Sequence, residues 1–152
     1  MDLKGKKFVL VGGAGLIGSH TADLLLKEGV KEIIIYDNFV RGSEENLAGA
    51  LKDPRVRIYD IGGDIMQTDI LQSAFEGVDG VFHFAALWLL QCHDYPRTAF
   101  DVNVRGTFNV MEACVAKGVT RLVSSSSASV YGDAVREPMD EDHPYNNKNF
   151  YG

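Results

Sequence analysis

Short apolar runs alternate with longer helical patterns along this chain, and this alternation constrains its fold more than any other feature. The runs predicted as strands are 8–11, 33–36, 56–59, 80–84 and 121–125, and the helical patterns are 16–28, 68–75 and a long segment from near Pro96 to Gly118. Strands that alternate with helices are typical of a parallel sheet with crossover helices. Right-handed crossovers then predict a doubly wound, Rossmann-type α/β sheet with the strand order 3-2-1-4-5.

The spacing of apolar residues predicts how the helices form. In the first helix, we expect Ile17, Leu24 and Leu25 to lie on the buried side. Along the long helix, apolar residues recur at steps of three and four, which is the helical period. These residues are Phe100, Val104, Phe108, Met111 and Val115. Cys114 lies within this pattern, so we predict that it is a core thiol.

The composition argues against several classes of function. The 152 residues suffice for one domain with a core of its own. A net charge of −6 argues against nucleic acid or an anionic membrane as a partner. No apolar run approaches the roughly 20 residues that cross a bilayer, and Cys92 and Cys114 lack the spacing of a metal or redox motif. We therefore expect a cytoplasmic protein without a bound metal.

A glycine-rich turn joins the first predicted strand to the first helix. Its residues, 12–18 with the sequence GGAGLIG, satisfy GxGxxG from Gly13 and GxxGxxG from Gly12. Glycines there permit a tight turn, close approach of the backbone to a pyrophosphate, and close packing of helix on strand. A purely structural turn would match the same pattern. The preceding strand, the following helix and a well-placed carboxylate favour a dinucleotide site.

That carboxylate is Asp37, and it bears on the choice of cofactor. It follows the second predicted strand, about 20 residues beyond the glycines, where a carboxylate accepts hydrogen bonds from the adenosine ribose. A negative charge there would repel the 2′-phosphate of NADP, so we predict NAD. Arg41, four residues later, keeps NADP open as the less favoured cofactor, although a solvated loop arginine is the simpler interpretation.

Seven motifs occur in one order along the chain. They are residues 11–20 (VGGAGLIGSH), 36–38 (YDN), 63–65 (GDI), 83–86 (HFAA), 103–107 (NVRGT), 125–132 (SSSASVYG) and Tyr151. Together they resemble the extended short-chain dehydrogenases/reductases, in particular nucleotide-sugar epimerases of the UDP-glucose 4-epimerase type. This resemblance covers essentially the whole chain. It implies NAD as the cofactor, a nucleotide sugar such as a UDP-sugar as the substrate, and a homodimer as the intact enzyme.

The resemblance also implies which residues contact the cofactor. Gly12, Gly15, Leu16 and Ile17 would face the pyrophosphate, Asp37 and Asn38 the adenosine ribose, and Asp64 and Ile65 the adenine. Phe84, Ala85 and Ala86 would pass beneath the cofactor, Asn103 would steady that loop, and Ser125 and Tyr151 would lie near the nicotinamide. A plain turn carboxylate remains the alternative for Asp64, and we expect His83 to be a packed strand residue.

Ser127 and Tyr151 are the catalytic pair that the resemblance implies. Oxidation of a sugar hydroxyl needs a base for its proton, and a free tyrosine, with a pKa of about 10, is a poor base at neutral pH unless its phenolate is stabilised. In the family, a lysine four residues after the tyrosine provides this stabilisation, and that position lies beyond residue 152. Lys148 precedes Tyr151 by three residues and is not assumed to replace it.

Two loops bear on the reaction and the substrate. Dehydratase and decarboxylase relatives have an acidic residue two positions after the catalytic Ser or Thr, whereas this chain has Ala128 and Ser129 after Ser127. This difference favours an epimerase, or a simple dehydrogenase or reductase. UDP-glucose 4-epimerases have a lysine at the position of Trp88, in a loop that borders the sugar. Trp88 is therefore either a substrate residue or a packing residue.

Our leading hypothesis is an NAD-dependent nucleotide-sugar epimerase that acts at C4 of a UDP-hexose through a 4-keto intermediate. We expect residues 1–152 to be the NAD-binding Rossmann domain, an N-terminal fragment of a longer enzyme that lacks later strands, the substrate domain and activity of its own. The chain also stops in what resembles the first turn of another helix. The alternatives are a sugar reductase or dehydrogenase of the same family and a non-catalytic dinucleotide-binding fragment.

Overall fold

Five parallel strands form a single sheet in the computed structural model, which describes residues 2–152. The strands are β1 (Lys7–Val11), β2 (Glu32–Tyr36), β3 (Val56–Ile58), β4 (Gly80–His83) and β5 (Arg121–Ser124). Their order across the sheet is β3-β2-β1-β4-β5, which confirms the predicted topology. Each predicted strand is present, with ends that differ by one residue from those expected.

Strand β1 lies at the centre of the sheet and fixes the position of the functional edge. Val9 is paired with Ile34 of β2 on one side and with Val81 of β4 on the other. The chain order therefore reverses on either side of β1. In open α/β sheets, the crevice outside the carboxyl ends of the strands at such a reversal is the usual ligand site.

The helices connect the strands and cover both faces of the sheet. They are α1 (Leu16–Lys27), α2 (Thr68–Ala74), α3 (Leu89–Asp94), α4 (Pro96–Ala99) and α5 (Thr107–Ala116). A π-helical segment, Phe100–Gly106, joins α4 to α5, and short 3₁₀ turns cover Glu45–Leu47, Ala50–Lys52 and Ala128–Tyr131. The single long helix expected between Pro96 and Gly118 is thus interrupted, and single π turns inside helices frequently occur at functional sites.

Alternate residues of the central strands point to opposite faces and form two cores. On one face, Val9, Val11 and Ile34 pack with residues of α2 and α5, and on the other, Leu10 and Ile35 pack with α1 and the segment after β2. Since both faces are covered at the centre of the sheet, β1 and β2 each contain four consecutive buried apolar residues, as is usual in doubly wound sheets.

The buried side of α1 differs from the expectation. Leu25 is buried, but Ile17 and Leu24 are each 60% exposed, and the other buried residues of this helix are Gly18, Ser19 and Ala22. Small residues face the sheet because α1 lies close to the glycine-rich turn. A Cβ atom added at Gly18 would lie 2.5 Å from the carbonyl oxygen of Gly12.

The apolar residues at helical spacing between Pro96 and Gly118 lie on the outer side of the segment. Phe100, Val104, Phe108, Met111 and Val115 are all exposed, and we call this set the outer stripe. The sheet side consists of smaller residues, among them Val110, Ala113 and Cys114. Cys114 is buried as predicted, and burial raises the pKa of its thiol to about 11.

Residues 147–152 are not helical, contrary to the expectation of a first helical turn there. Asn149 Oδ1 accepts a hydrogen bond from the backbone N–H of Gly152 (2.9 Å), which is the contact that an N-cap residue makes with the third residue of a helix.

Within residues 2–152, no helix combines the length and apolar character that crossing a membrane requires. The same residues contain no group of three or more His, Cys, Asp or Glu side chains that could hold a metal ion.

Candidate active site at the carboxyl edge of the sheet

The glycine-rich turn lies directly against the loop that follows β4. Gly12 has a φ of 80°, a conformation that favours glycine, and a Cβ atom there would lie 2.5 Å from the backbone nitrogen of Ala85. Phe84 and Ala85 both donate backbone hydrogen bonds to the carbonyl of Val11, at 2.7 and 3.1 Å. Gly12 therefore allows two backbone segments to meet at the point where a dinucleotide would cross the sheet edge.

The N-terminus of α1 opens at the same place. Its cap residue, Gly15, has no side chain to occupy the first N–H groups, and the first turn contains no acidic residue. The first hydrogen bond runs from Ser19 N to the carbonyl of Gly15 (2.9 Å), so the N–H groups of Leu16 and Ile17 have no helical acceptor. Free donors and the helix dipole suit an anion, and the side chains of Leu16 and Ile17 are exposed beside them. This geometry fits the diphosphate of a dinucleotide.

Asp37 connects the end of β2 to the glycine-rich turn. Its Oδ2 accepts a hydrogen bond from Ala14 N (2.9 Å), and its Oδ1 accepts one from Phe39 N (2.8 Å). Each carboxylate oxygen keeps a second lone pair, so the group could still accept from a ribose hydroxyl. Asn38 is exposed, and its Oδ1 accepts from Val40 N at 3.2 Å.

The segment after β3 brings Asp64 and Ile65 to the same edge. Asp64 Oδ1 accepts from Met66 N (2.9 Å), and the Asp64 carbonyl accepts from the Tyr36 hydroxyl (2.9 Å). Burial raises the pKa of Tyr36, so its hydroxyl stays a donor. Ile65 is buried, and Asn109 Nδ2 donates to its carbonyl at 2.9 Å. The sequence reasoning missed Tyr36 and Asn109 as supports of this segment, because their partners come from distant parts of the chain.

Asn103 fixes the loop after β4 through both backbone groups of Leu87. Its Oδ1 accepts from Leu87 N (2.7 Å), and its Nδ2 donates to the Leu87 carbonyl (3.0 Å). Asn103 lies in the π-helical segment, so the interruption of the regular helix is next to this loop. Ala86, the preceding residue of the loop, is exposed. Whether these residues touch a cofactor stays a prediction.

Trp88 follows Leu87 and lies beneath a charged side chain. The guanidinium carbon of Arg41 is 4.8 Å from the centre of the Trp88 ring, a cation–π contact between the loops after β2 and β4. The sequence reasoning did not foresee this contact.

The Ser-rich loop follows β5, next to the loop after β4. Ser125 N donates to the His83 carbonyl (3.2 Å), and Ser127 Oγ accepts from Ser129 N (3.2 Å) at the start of a 3₁₀ turn. His83 itself is buried as expected, and its Nε2 lies 3.0 Å from the Thr107 hydroxyl. Burial lowers the pKa of His83 to about 4, so its ring is neutral at pH 7.

The last residues of the chain fold back onto the Ser-rich loop. Ser127, Tyr131, Tyr145 and Gly152 are among the residues that line an open cavity of about 860 Å³. Tyr151 is half-buried beside Gly152, and no hydrogen bond joins its hydroxyl to Ser127 within the described residues. The structure thus places Ser127 and the neighbour of Tyr151 in the lining of one cavity, and Tyr151 itself is not among the lining residues.

Lys148 and His143 have structural partners in this region. Lys148 Nζ lies 3.4 Å from Asp133 Oδ2, so it is directed at a carboxylate. His143 is buried, and its Nε2 accepts a hydrogen bond from Val135 N (3.0 Å). Its ring packs edge-on against the Tyr131 ring, and the two ring centres are 5.5 Å apart. No spacing in the sequence signalled this role of His143, because its partners lie in an irregular loop.

Comparison with known proteins agrees with this geometry. The sequence model of the NAD dependent epimerase/dehydratase family matches residues 8–152. The chain belongs to this family. The prediction of an extended short-chain dehydrogenase/reductase of the epimerase/dehydratase type is therefore confirmed, and so is NAD as the cofactor of the family.

Curated relatives of this epimerase/dehydratase-family chain include UDP-glucose 4-epimerases. The enzyme of Lacticaseibacillus casei is 36% identical over 146 residues, which are 94% of this chain and 42% of the relative. The human enzyme is 36% identical over 152 residues, which are 91% of this chain and 42% of the relative. The chain thus spans less than half the length of these relatives.

Solved structures of the family have the same fold. The UDP-glucose 4-epimerase of Brucella ovis, in complex with NAD, matches with a TM-score of 0.83 and 31% identity, over 96% of this chain and 43% of that one. DesIV of Streptomyces venezuelae, a dTDP-glucose 4,6-dehydratase with NAD and TYD bound, matches with a TM-score of 0.86 and 32% identity, over 95% and 47%. The neighbours therefore include both epimerases and dehydratases.

Proposed function

We propose that the protein is an NAD-dependent nucleotide-sugar epimerase that inverts C4 of a UDP-hexose. The observation that carries the proposal is that Ser127 and Gly152, the residue next to Tyr151, line one cavity at the carboxyl edge of the sheet. The neighbouring segments at this edge suit a dinucleotide. The 36% identity to UDP-glucose 4-epimerases supports the reaction and the substrate.

The cofactor site is proposed to use the edge residues described above. They are Gly12, Gly15, Leu16, Ile17, Asp37, Asn38, Asp64, Ile65, Phe84, Ala85, Ala86, Asn103, Ser125 and Tyr151. Bound NAD supplies one chemical function, which is to accept a hydride from the sugar carbon and return it. The N–H groups of Leu16 and Ile17 would bind the diphosphate, and Asp37 would orient the adenosine ribose.

The protein's own part in the chemistry is proton transfer at one sugar oxygen. Tyr151 would take the hydroxyl proton, and Ser127 would hydrogen-bond to the same oxygen and hold it in place. The Ser127 hydroxyl is free to donate, because its oxygen accepts from Ser129 N while its own proton has no partner in residues 2–152. Returning the proton from Tyr151 completes the cycle.

The Ser-rich loop supports epimerisation over elimination. Elimination of water needs an additional acid and base near the sugar, and Ala128 and Ser129 have no carboxyl group. A sugar reductase or dehydrogenase of the same family remains the alternative, since it needs the same Ser and Tyr. The two differ in net redox change, because an epimerase releases no NADH.

The decisive experiment uses the full-length protein with UDP-glucose and related UDP-sugars. We expect formation of the C4 epimer, seen by NMR, with no net NADH. Tyr151→Phe should remove turnover and leave NAD bound, whereas Tyr95→Phe, at an exposed tyrosine of the α3–α4 junction, should leave both unchanged. An active Tyr151→Phe enzyme, net NADH, or loss of water or carbon dioxide from the sugar would each contradict the proposal.

We also propose that the intact enzyme is a cytoplasmic homodimer. The outer stripe (Phe100, Val104, Phe108, Met111 and Val115) is an exposed apolar surface on a helical segment, and a second copy of the same segment would bury it. Sedimentation of the full-length protein should give a dimer, and Phe108→Glu should give a monomer. A wild-type monomer would contradict this assignment.

A further inference from the structure

Arg41 is the one lysine or arginine among the segments that follow the five strands. These segments form the carboxyl edge of the sheet, and they are residues 12–19, 37–47, 59–67, 84–92 and 125–131. Apart from Arg41, they contain only neutral and acidic side chains. A dinucleotide diphosphate carries two negative charges. The helix N-terminus supplies only about half of one positive charge toward them.

The backbone around Arg41 is tied to the glycine-rich turn. Ala14 N donates to Asp37 (2.9 Å), and the Ala14 carbonyl accepts from Ser43 N (3.2 Å) and from Asn46 Nδ2 (2.9 Å). A Cβ atom added at Gly42 would lie 2.7 Å from the Ala14 Cβ. The residue that follows Arg41 is therefore packed directly on the turn that would hold the diphosphate.

The backbone around Trp88, whose ring contacts Arg41, is also fixed by hydrogen bonds. Trp88 follows Leu87, whose two backbone groups bond to Asn103 at 2.7 and 3.0 Å, and the Trp88 carbonyl accepts from Cys92 N at 3.0 Å. The 4.8 Å contact between Arg41 and Trp88 thus connects the loops after β2 and β4, which flank the turn after β1.

Within residues 2–152, the Arg41 guanidinium has no partner other than the Trp88 ring. Arg41 takes part in none of the ion pairs formed within residues 2–152, and the exposed Trp88 ring covers one face of the guanidinium without using an N–H group. An arginine stacked on an aromatic ring has a fixed plane and free donors, which suits a phosphate group.

We propose that Arg41, oriented by the Trp88 ring, is a binding residue for the diphosphate of NAD. This inference rests on the proposed function, because it requires NAD at the glycine-rich turn. Trp88 is then a positioning residue that acts through Arg41, which gives it a role other than packing or substrate contact.

The test is calorimetric titration of the full-length protein with NAD, NADP and ADP-ribose. Arg41→Ala should weaken NAD and ADP-ribose binding by about tenfold, which is about 1.4 kcal/mol. The two ligands should be affected alike, because they share the diphosphate. Trp88→Leu and Arg41→Lys should each weaken both ligands by about threefold, since each keeps a cation near the turn but loses the fixed plane.

The matched control is Arg57→Ala. Arg57 also lies over an aromatic ring, with its guanidinium carbon 5.9 Å from the centre of Tyr59, but it lies in β3 and pairs with Glu32. The Arg57→Ala protein should bind NAD and ADP-ribose as the wild-type protein does. Thermal unfolding should show that all four variants stay folded.

Three results would overturn the inference. They are an Arg41→Ala protein with wild-type affinity for NAD, a loss confined to NADP, which would assign Arg41 to the 2′-phosphate, and a Trp88→Leu protein with wild-type affinity. Failure of the wild-type protein to bind NAD would instead contradict the proposed function. The two failures are therefore distinguishable.

Discussion

Replacement of Gly12 by alanine tests the close approach on which the candidate site depends. The new Cβ atom would lie 2.5 Å from Ala85 N and 2.8 Å from the carbonyl carbon of Phe84. Both are backbone atoms, so no side-chain rotation relieves the overlap, and overpacking of this kind costs about 1–3 kcal/mol. The φ of 80° adds about 1–2 kcal/mol for a residue with a Cβ. We expect Gly12→Ala to lower the free energy of unfolding by about 2–5 kcal/mol.

Gly118→Ala is the matched control for this substitution. Gly118 has a similar φ of 67°, but nothing lies within 4 Å of an added Cβ atom, so only the conformational cost of about 1–2 kcal/mol applies. Urea unfolding of the full-length variants measures both costs, and NAD titration should show weakened binding for Gly12→Ala alone. Equal destabilisation by the two substitutions would refute the argument that the loop after β4 rests on Gly12.

Three further predictions follow from charge and burial. Because Asp37 places a carboxylate at the end of β2, the full-length protein should bind NAD about ten times more tightly than NADP, and equal titration curves would contradict this. Burial lowers the pKa of His83 from its ordinary 6.5 to about 4, so the unfolded chain takes up a proton first as the pH falls. Between pH 7.5 and 5, stability should therefore fall by about 2 kcal/mol through this residue, and His83→Gln should reduce the pH dependence of unfolding by that amount. Residues 1–152 expressed alone should bind NAD weakly and show no turnover, because no hydrogen bond within the described residues 2–152 holds the Tyr151 hydroxyl, and detectable turnover would refute that reasoning.

The strands were predictable from the sequence because their burial is simple. Residues 33–36 are apolar without a break, and a strand covered on both faces needs no other signal. The strand order followed from the handedness of the crossovers, and the glycine-rich turn was placed by its position between strand and helix.

The helix faces were harder to predict, because size mattered more than hydrophobicity. Ile17 and Leu24 are apolar but exposed, whereas Gly18 and Ala22 face the sheet because α1 lies close to it. The outer stripe follows the helical period but points away from the core of the described residues. Periodicity therefore identified the helix there without identifying its buried side.

The sequence pattern could not predict contacts between loops that are distant along the chain. Arg41 and Trp88 are 47 positions apart, and they meet because their loops flank the central strand. His143 and Asn103 make hydrogen bonds whose partners depend on irregular backbone. Their residue types allow these bonds, but only the folded arrangement selects them.

The central claim is that hydride leaves C4 of the sugar and returns to the same carbon through tightly held NAD. The most direct measurement is the fate of deuterium at C4 when the full-length protein converts UDP-[4-²H]glucose in ordinary water. We predict that the C4 epimer retains the deuterium, with a slower rate than the unlabelled substrate and no deuterium in the solvent. Loss of the label to water would mean that the carbon is deprotonated instead, and it would contradict the account.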